Sequence, residues 1–77
     1  MGSKYPVLKP HEIIRVLESF GFYFKSQIGS HRKYIKVVKD MPTRTAIVPM
    51  HYEVAKGTLK SILEQAGLTL DEFMSRL

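Results

Sequence analysis

The spacing of apolar residues changes twice along this chain, at Gly21 and again at Pro49, and those changes restrict the fold more than any other feature. From His11 to Phe20, the residues Ile13, Ile14, Val16, Leu17 and Phe20 recur at helical intervals, leaving Glu12, Arg15 and Glu18 for the wet side. This predicts a first helix, with Pro10 suited to its opening turn and Gly21 to a left-handed C-terminal cap. Between the two changes the chain is rich in aromatic and β-branched residues. Phe22 to Ile28 and His31 to Val38 predict two strands joined by Gly29 and Ser30. Asp40, Met41 and Pro42 break the second strand before a third, Arg44 to Val48, which Pro49 closes. Helical spacing then returns. Leu59, Ile62, Leu63 and Ala66 form one stripe over Lys56 to Ala66, capped by Gly67. Leu70, Phe73, Met74 and Leu77 outline a last short helix starting at Thr69 or Leu70, with Asp71 and Glu72 complementing its positive end.

The predicted class is α+β, in the order α-β-β-β-α plus a short C-terminal helix. Both main helices are apolar along one stripe only, so the economical packing is a three-stranded antiparallel sheet with the helices on one face and the other face open. The same order is that of the double-stranded-RNA-binding domain, which raises the expectation of RNA without fixing a function. With 77 residues, the chain is expected to form a single domain over 1–77, one that buries only about 60% of its unfolded surface. The sequence has no cysteine, so packing alone must hold it. Met1, Gly2 and Ser3 read as an expression remnant and carry no fold argument.

The net charge is +5, and its distribution says more than its total. Residues 22 to 60 hold Lys25, Arg32, Lys33, Lys36, Lys39, Arg44, Lys56 and Lys60 against only Asp40 and Glu53, a local charge of +6. A cationic centre suits a polyanion, because each neutralised phosphate releases counterions and adds salt-sensitive affinity. A solvated basic face that only aids solubility has the same composition. No apolar run reaches membrane-spanning length, and the first residues lack a signal-peptide pattern, which leaves the cytoplasm as the expected compartment. Three scattered histidines without cysteine or a carboxylate cluster give no metal-ligand spacing, and no phosphate-loop or dinucleotide pattern occurs, so neither a metal nor a cofactor is expected.

Several short motifs carry a resemblance. They are Gly21-Phe22, Gln27, Gly29-Ser30-His31 with Tyr34 three places on, Ile47-Val48-Pro49-Met50-His51, Lys56-Gly57-Thr58-Leu59, and Ile62-Leu63-Glu64-Gln65-Ala66-Gly67-Leu68. Together they resemble the HicA (YcfA-like) toxins over nearly the whole chain from Glu12 to Leu77. The pattern departs where members often carry Arg and Lys but this chain has Ser26 and Ile28, and where Ile35 replaces a basic or polar residue. The resemblance implies a ribonuclease toxin of a toxin-antitoxin pair, cleaving mRNA without a metal and silenced by a HicB-type antitoxin.

On that reading His31 is the candidate catalytic residue. Metal-free RNA cleavage needs a group to take the 2′-hydroxyl proton, one to protonate the leaving 5′-oxygen, and cations for the charged phosphorane; histidine carries protons near neutral pH, with a reference pKa of about 6.5. Lys25, Lys33 and Lys36 are the nearby cations expected to supply the field. Gly29, Ser30, His51, Lys56, Thr58 and Lys60 complete the expected RNA-binding set; Gly57 and Thr58 lie near a helix start that suits either a phosphate or an ordinary cap. His51 suits a second proton carrier, a phosphate donor or a merely exposed loop residue. Tyr23 suits base stacking if exposed, whereas Tyr34 suits the core. Without the resemblance a lone strand histidine is usually structural.

Register decides which face His31 occupies, since a one-residue slip inverts every side chain. A two-residue loop at Gly29-Ser30 puts His31 with Phe22, Phe24, Ile35 and Val37. A three-residue loop turns Phe24 and Tyr34 inward together and puts His31 on the open face with Tyr23, Lys25, Gln27 and Lys33. The second keeps the lysines out of the core and is the expected arrangement, although glycine at the first central position favours the shorter turn. A non-catalytic double-stranded-RNA-binding module is the alternative function. The sequence leaves the oligomeric state open, a monomer included.

Overall fold

A computed structural model describes residues 5–77; the reading of Met1, Gly2 and Ser3 as a remnant falls outside the described residues. The elements run α1 (Pro10–Ser19), β1 (Tyr23–Ile28), β2 (His31–Lys36), β3 (Arg44–Pro49), α2 (Lys56–Ala66) and α3 (Leu70–Met74). The strands form one antiparallel sheet in the order β1-β2-β3, which is the predicted α+β architecture.

Local chemistry sets the element ends. Pro10 occupies the first turn of α1, and the Lys9 N–H donates to Glu12 Oε1 at 2.9 Å, satisfying an amide the helix cannot. The chain leaves α1 through Gly21 at φ +95°. β2 stops at Lys36, short of the expected Val38, because its partners stop: Ile35 pairs with Tyr23 at the start of β1, and Lys36 with Arg44 at the start of β3. Val37 and Val38 are left exposed. β3 runs one residue further than expected, through Pro49. Ile47 turns its N–H away from β2, toward Gln65 Oε1 at 3.4 Å, and Pro49 has the same parity. Its missing N–H therefore costs the sheet no bond.

The core lies between the helices and one sheet face. Ile13, Val16 and Leu17 of α1, Leu59, Ile62 and Leu63 of α2 and Phe73 of α3 close over Tyr34, Ala46 and Val48. A bridge between Leu8 and Val54, with the Val54 N–H donating to the Leu8 carbonyl at 2.7 Å, ties the segment before α1 to the loop before α2.

Neither predicted register is observed as drawn. The turn has two residues, with Ile28 opposite His31, and Gly29 at φ +57° takes its first central position as a type II′-like hairpin requires. A bulge between Phe24 and Ser26 then inserts Lys25 as an extra residue, so Phe24 falls opposite Tyr34 on the helix side. Their rings meet edge to face at 5.9 Å. His31 and Tyr34 are three residues apart on one strand and so face opposite ways. Tyr34 is buried; His31 is exposed on the open face. The expected orientation thus arises from a short turn plus a bulge. One member of the expected set is corrected: Gln27 pairs with Arg32 on the helix side, where the Arg32 Nε–H donates to Gln27 Oε1 at 2.9 Å.

Candidate nucleic-acid interface

The hairpin end of the sheet is built around the Gly29-Ser30 turn. Gln27 donates through Nε2 to the Gly29 carbonyl at 2.9 Å while accepting from Arg32, so two side chains on the helix side brace the turn. From the third strand, the Met50 N–H donates to the Ser30 carbonyl at 2.6 Å, continuing the ladder past the His31–Pro49 pair. This bond holds the start of the loop after β3 against the turn. The His31 and His51 rings meet edge to face there, centroids 6.2 Å apart and planes inclined at 67°.

Around His31 the open face carries Ile28 and Ser26 from β1, Lys33 and Ile35 from β2, and Thr45 and Ile47 from β3, by the alternation of the ladder. Lys33 is exposed and two residues along, about 7 Å away along the strand, which makes it the nearest cation on that face. Ile28 is 82% exposed, so the histidine has an apolar neighbour as well as a charged one. Tyr23 is half-exposed at the far corner of the same face. Lys25 is exposed in the bulge.

Lys36 needs a correction. It was expected to share in the cationic field at His31, but it lies five residues along β2 and on the other face, about 17 Å away by strand rise. There it is half-buried and, with Phe20, Phe22, Met41 and Arg44, lines a cavity at the opposite end of the sheet from His31. A flexible polyanion needs an open surface instead of an enclosed pocket, and the open face at the hairpin provides one.

A family model described as the HicA toxin of bacterial toxin-antitoxin systems matches residues 10–68 of the 77. The chain belongs to the HicA toxin family. No curated protein matches the chain. HicA toxins are mRNA-cleaving toxins, and membership implies an RNA substrate and a cognate antitoxin in general. The HicA match runs from α1 to Leu68, so it contains His31 and His51 and ends before α3.

The remaining candidates in this HicA chain lie at the start of α2. Lys56 opens the helix, and Thr58 and Lys60 follow, all exposed. Ala55 is the N-cap residue and makes no side-chain cap bond, so Thr58 is not the cap. Tyr52, in the loop between His51 and α2, is 79% exposed with the Lys9 ammonium 5.3 Å from its ring centroid. Among the described residues no three His, Asp or Glu side chains gather as a metal site would need, and no helix is long and apolar enough to cross a membrane.

Two features escaped the sequence reading. The Gln27–Arg32 brace has a signal, since two long polar residues flank a two-residue turn symmetrically. The approach of His51 to His31 has none, because it follows from the pairing of Pro49 with His31, which only the register reveals.

Proposed function

We propose that this chain is the metal-independent ribonuclease of a type II toxin-antitoxin pair, cleaving mRNA in the cytoplasm with His31 as a proton-transfer residue and held silent by a HicB-type antitoxin. It works as one HicA-like unit over residues 1–77. The observation that carries the reading is the placement of an exposed imidazole beside a hairpin turn on an open sheet face, two residues from the Lys33 ammonium.

The substrate's phosphodiester is taken to lie across the hairpin end of that face. Lys33 and Lys25 offset phosphate charge there, and the backbone of Gly29 and Ser30 lets the chain approach closely. Lys56, Thr58 and Lys60 hold the neighbouring phosphates. Lys36, on the far face, is left for a distant stretch of RNA and takes no part at the scissile bond. Moving a proton by a positioned side chain contributes roughly 100- to 10,000-fold, and cations aimed at the developing phosphorane add to it.

The alternative, a non-catalytic double-stranded-RNA-binding module, also predicts salt-sensitive affinity. Incubating a defined transcript with the protein and excess chelator separates the two. Fragments that disappear with His31→Ala support the ribonuclease; intact, protein-bound RNA supports the module and ends the proposal.

A further inference from the structure

The two imidazoles at the hairpin end have no structural need of each other. Both side chains are exposed, they share no hydrogen bond, and their rings contribute nothing to the core. Their approach is nonetheless fixed by backbone: His31 by the two-residue turn and its pairing with Pro49, and His51 by the Met50 N–H bonded to the Ser30 carbonyl at 2.6 Å. The centroid separation of 6.2 Å is too wide for a direct hydrogen bond along any ring orientation that keeps the planes at 67°. Two rings at that separation can each hydrogen-bond, at about 2.8 Å, a different oxygen of one group lying over the pair. The group the HicA chemistry brings there is a phosphodiester, which presents an attacking oxygen on one side of phosphorus and a leaving oxygen on the other.

We infer that His51 is the second proton-transfer residue of this site, the general acid that protonates the departing 5′-oxygen while His31 acts as general base. The inference rests on the ribonuclease reading above and deepens it. The 2′-hydroxyl oxygen attacks phosphorus as its proton passes to the neutral His31 imidazole, forming the 2′-O–P bond. The P–O5′ bond breaks with its electron pair going to oxygen, which takes a proton from the His51 imidazolium. The products are a 2′,3′-cyclic phosphate and a 5′-hydroxyl. His31 is left charged and His51 neutral, and exchange with solvent restores both. No metal, oxidant or further reactant enters the balance. Near neutral pH, histidines are the side chains whose ordinary pKa allows one ring of a pair to accept while the other donates.

The assignment to the leaving group is tested with two otherwise identical RNA substrates, one with the ordinary scissile linkage and one with sulfur in place of the bridging 5′-oxygen. A thiolate leaves without protonation. His51→Ala is expected to slow cleavage of the ordinary linkage at least about 100-fold. The same variant should cleave the sulfur linkage within a few-fold of wild type, which also shows it to be folded and able to bind. His31→Ala should slow both linkages. Equal slowing of both by His51→Ala, or wild-type cleavage of the ordinary one, overturns the acid assignment while leaving His31 in place. Rescue of His31→Ala by sulfur in place of His51→Ala also overturns it, because the two roles are then exchanged. A wild-type protein that cuts neither linkage, or a His31→Ala protein that cuts both at full rate, fails the ribonuclease reading itself and takes this inference with it.

Discussion

Phe73 gives the sharpest test of how the sheet is held. It is the largest fully buried side chain and comes from α3, a five-residue helix beyond the part of the chain the HicA family model covers. A helix that short is not stable by itself, so its order must derive from what Phe73 buries. An aromatic side chain removes roughly 150–250 Å² from water, and at about 25 cal/mol per Å² that is worth some 4–6 kcal/mol before relaxation. Phe→Ala substitutions at sealed positions typically cost about 3–5 kcal/mol once the site has partly collapsed. A chain of 77 residues has a total stability of about 4–12 kcal/mol, so Phe73→Ala should remove a quarter or more of it. Urea denaturation followed by circular dichroism reads this directly, and a drop in midpoint with little change in slope is expected. A variant with Leu77 removed should be nearly unaffected, since that residue is half-exposed at the end of the same stripe. A loss below about 1 kcal/mol for Phe73→Ala would refute the reasoning, because it would mean α3 is an appendage and the core closes without it.

Other expectations concern turns, caps and cations. Gly29 and Gly67 sit at φ +57° and +73°, so alanine at either should cost about 1–2 kcal/mol. Nothing crowds position 29, and the Arg44 guanidinium, 3.0 Å from the added Cβ at 67, is the movable end of an exposed side chain, so the backbone conformation sets the cost at both. A much larger cost at 67 in urea melts would show that Arg44 is fixed. Glu72 accepts from the Thr69 backbone N–H at 2.8 Å, and that bond, with a second from the Thr69 side chain, holds its carboxyl below the ordinary 4.5. A lowered folded value means the contribution is present above the unfolded pKa and lost as pH falls through the folded one. The stability gap between wild type and Glu72→Gln should therefore be seen at pH 7 and close as pH falls through the folded value; a gap independent of pH contradicts the cap. Lys33→Ala should weaken RNA binding and lower the slope of log affinity against log salt by about 1, as losing one phosphate contact does. Lys36→Ala should leave cleavage at the hairpin unchanged, and equal effects of the two lysines would contradict their placement on opposite faces.

Periodicity made the elements legible because each buries one stripe or one face. Ile13, Val16 and Leu17 mark the covered side of α1 by spacing alone, and Leu59, Ile62 and Leu63 do the same for α2. Strand ends were harder to read. Val37 and Val38 have strand-forming side chains, yet whether they pair depends on where β1 and β3 begin, which is not local information. The register at His31 was obscured for a similar reason. The two-residue turn and the inward Phe24 conflict in a regular ladder, and only a bulge at Lys25 reconciles them, a device with no residue signature of its own here. At the candidate site, the resemblance to HicA toxins singled out His31 and His51 separately. Their facing geometry follows from the pairing of His31 with Pro49, and so became visible only with the register. Lys36 was grouped with Lys33 by proximity in sequence, which fails on a strand when the offset is odd.

The proposed function has an imidazole, held out on the open sheet face, move a proton during RNA cleavage. Its most direct test is the single-turnover rate on one defined transcript for wild type and His31→Ala, in chelator, with both proteins matched for melting temperature and RNA affinity. The predicted result is a rate at least about 100-fold lower for the variant, with affinity within about twofold. Equal rates at equal affinity would contradict the account.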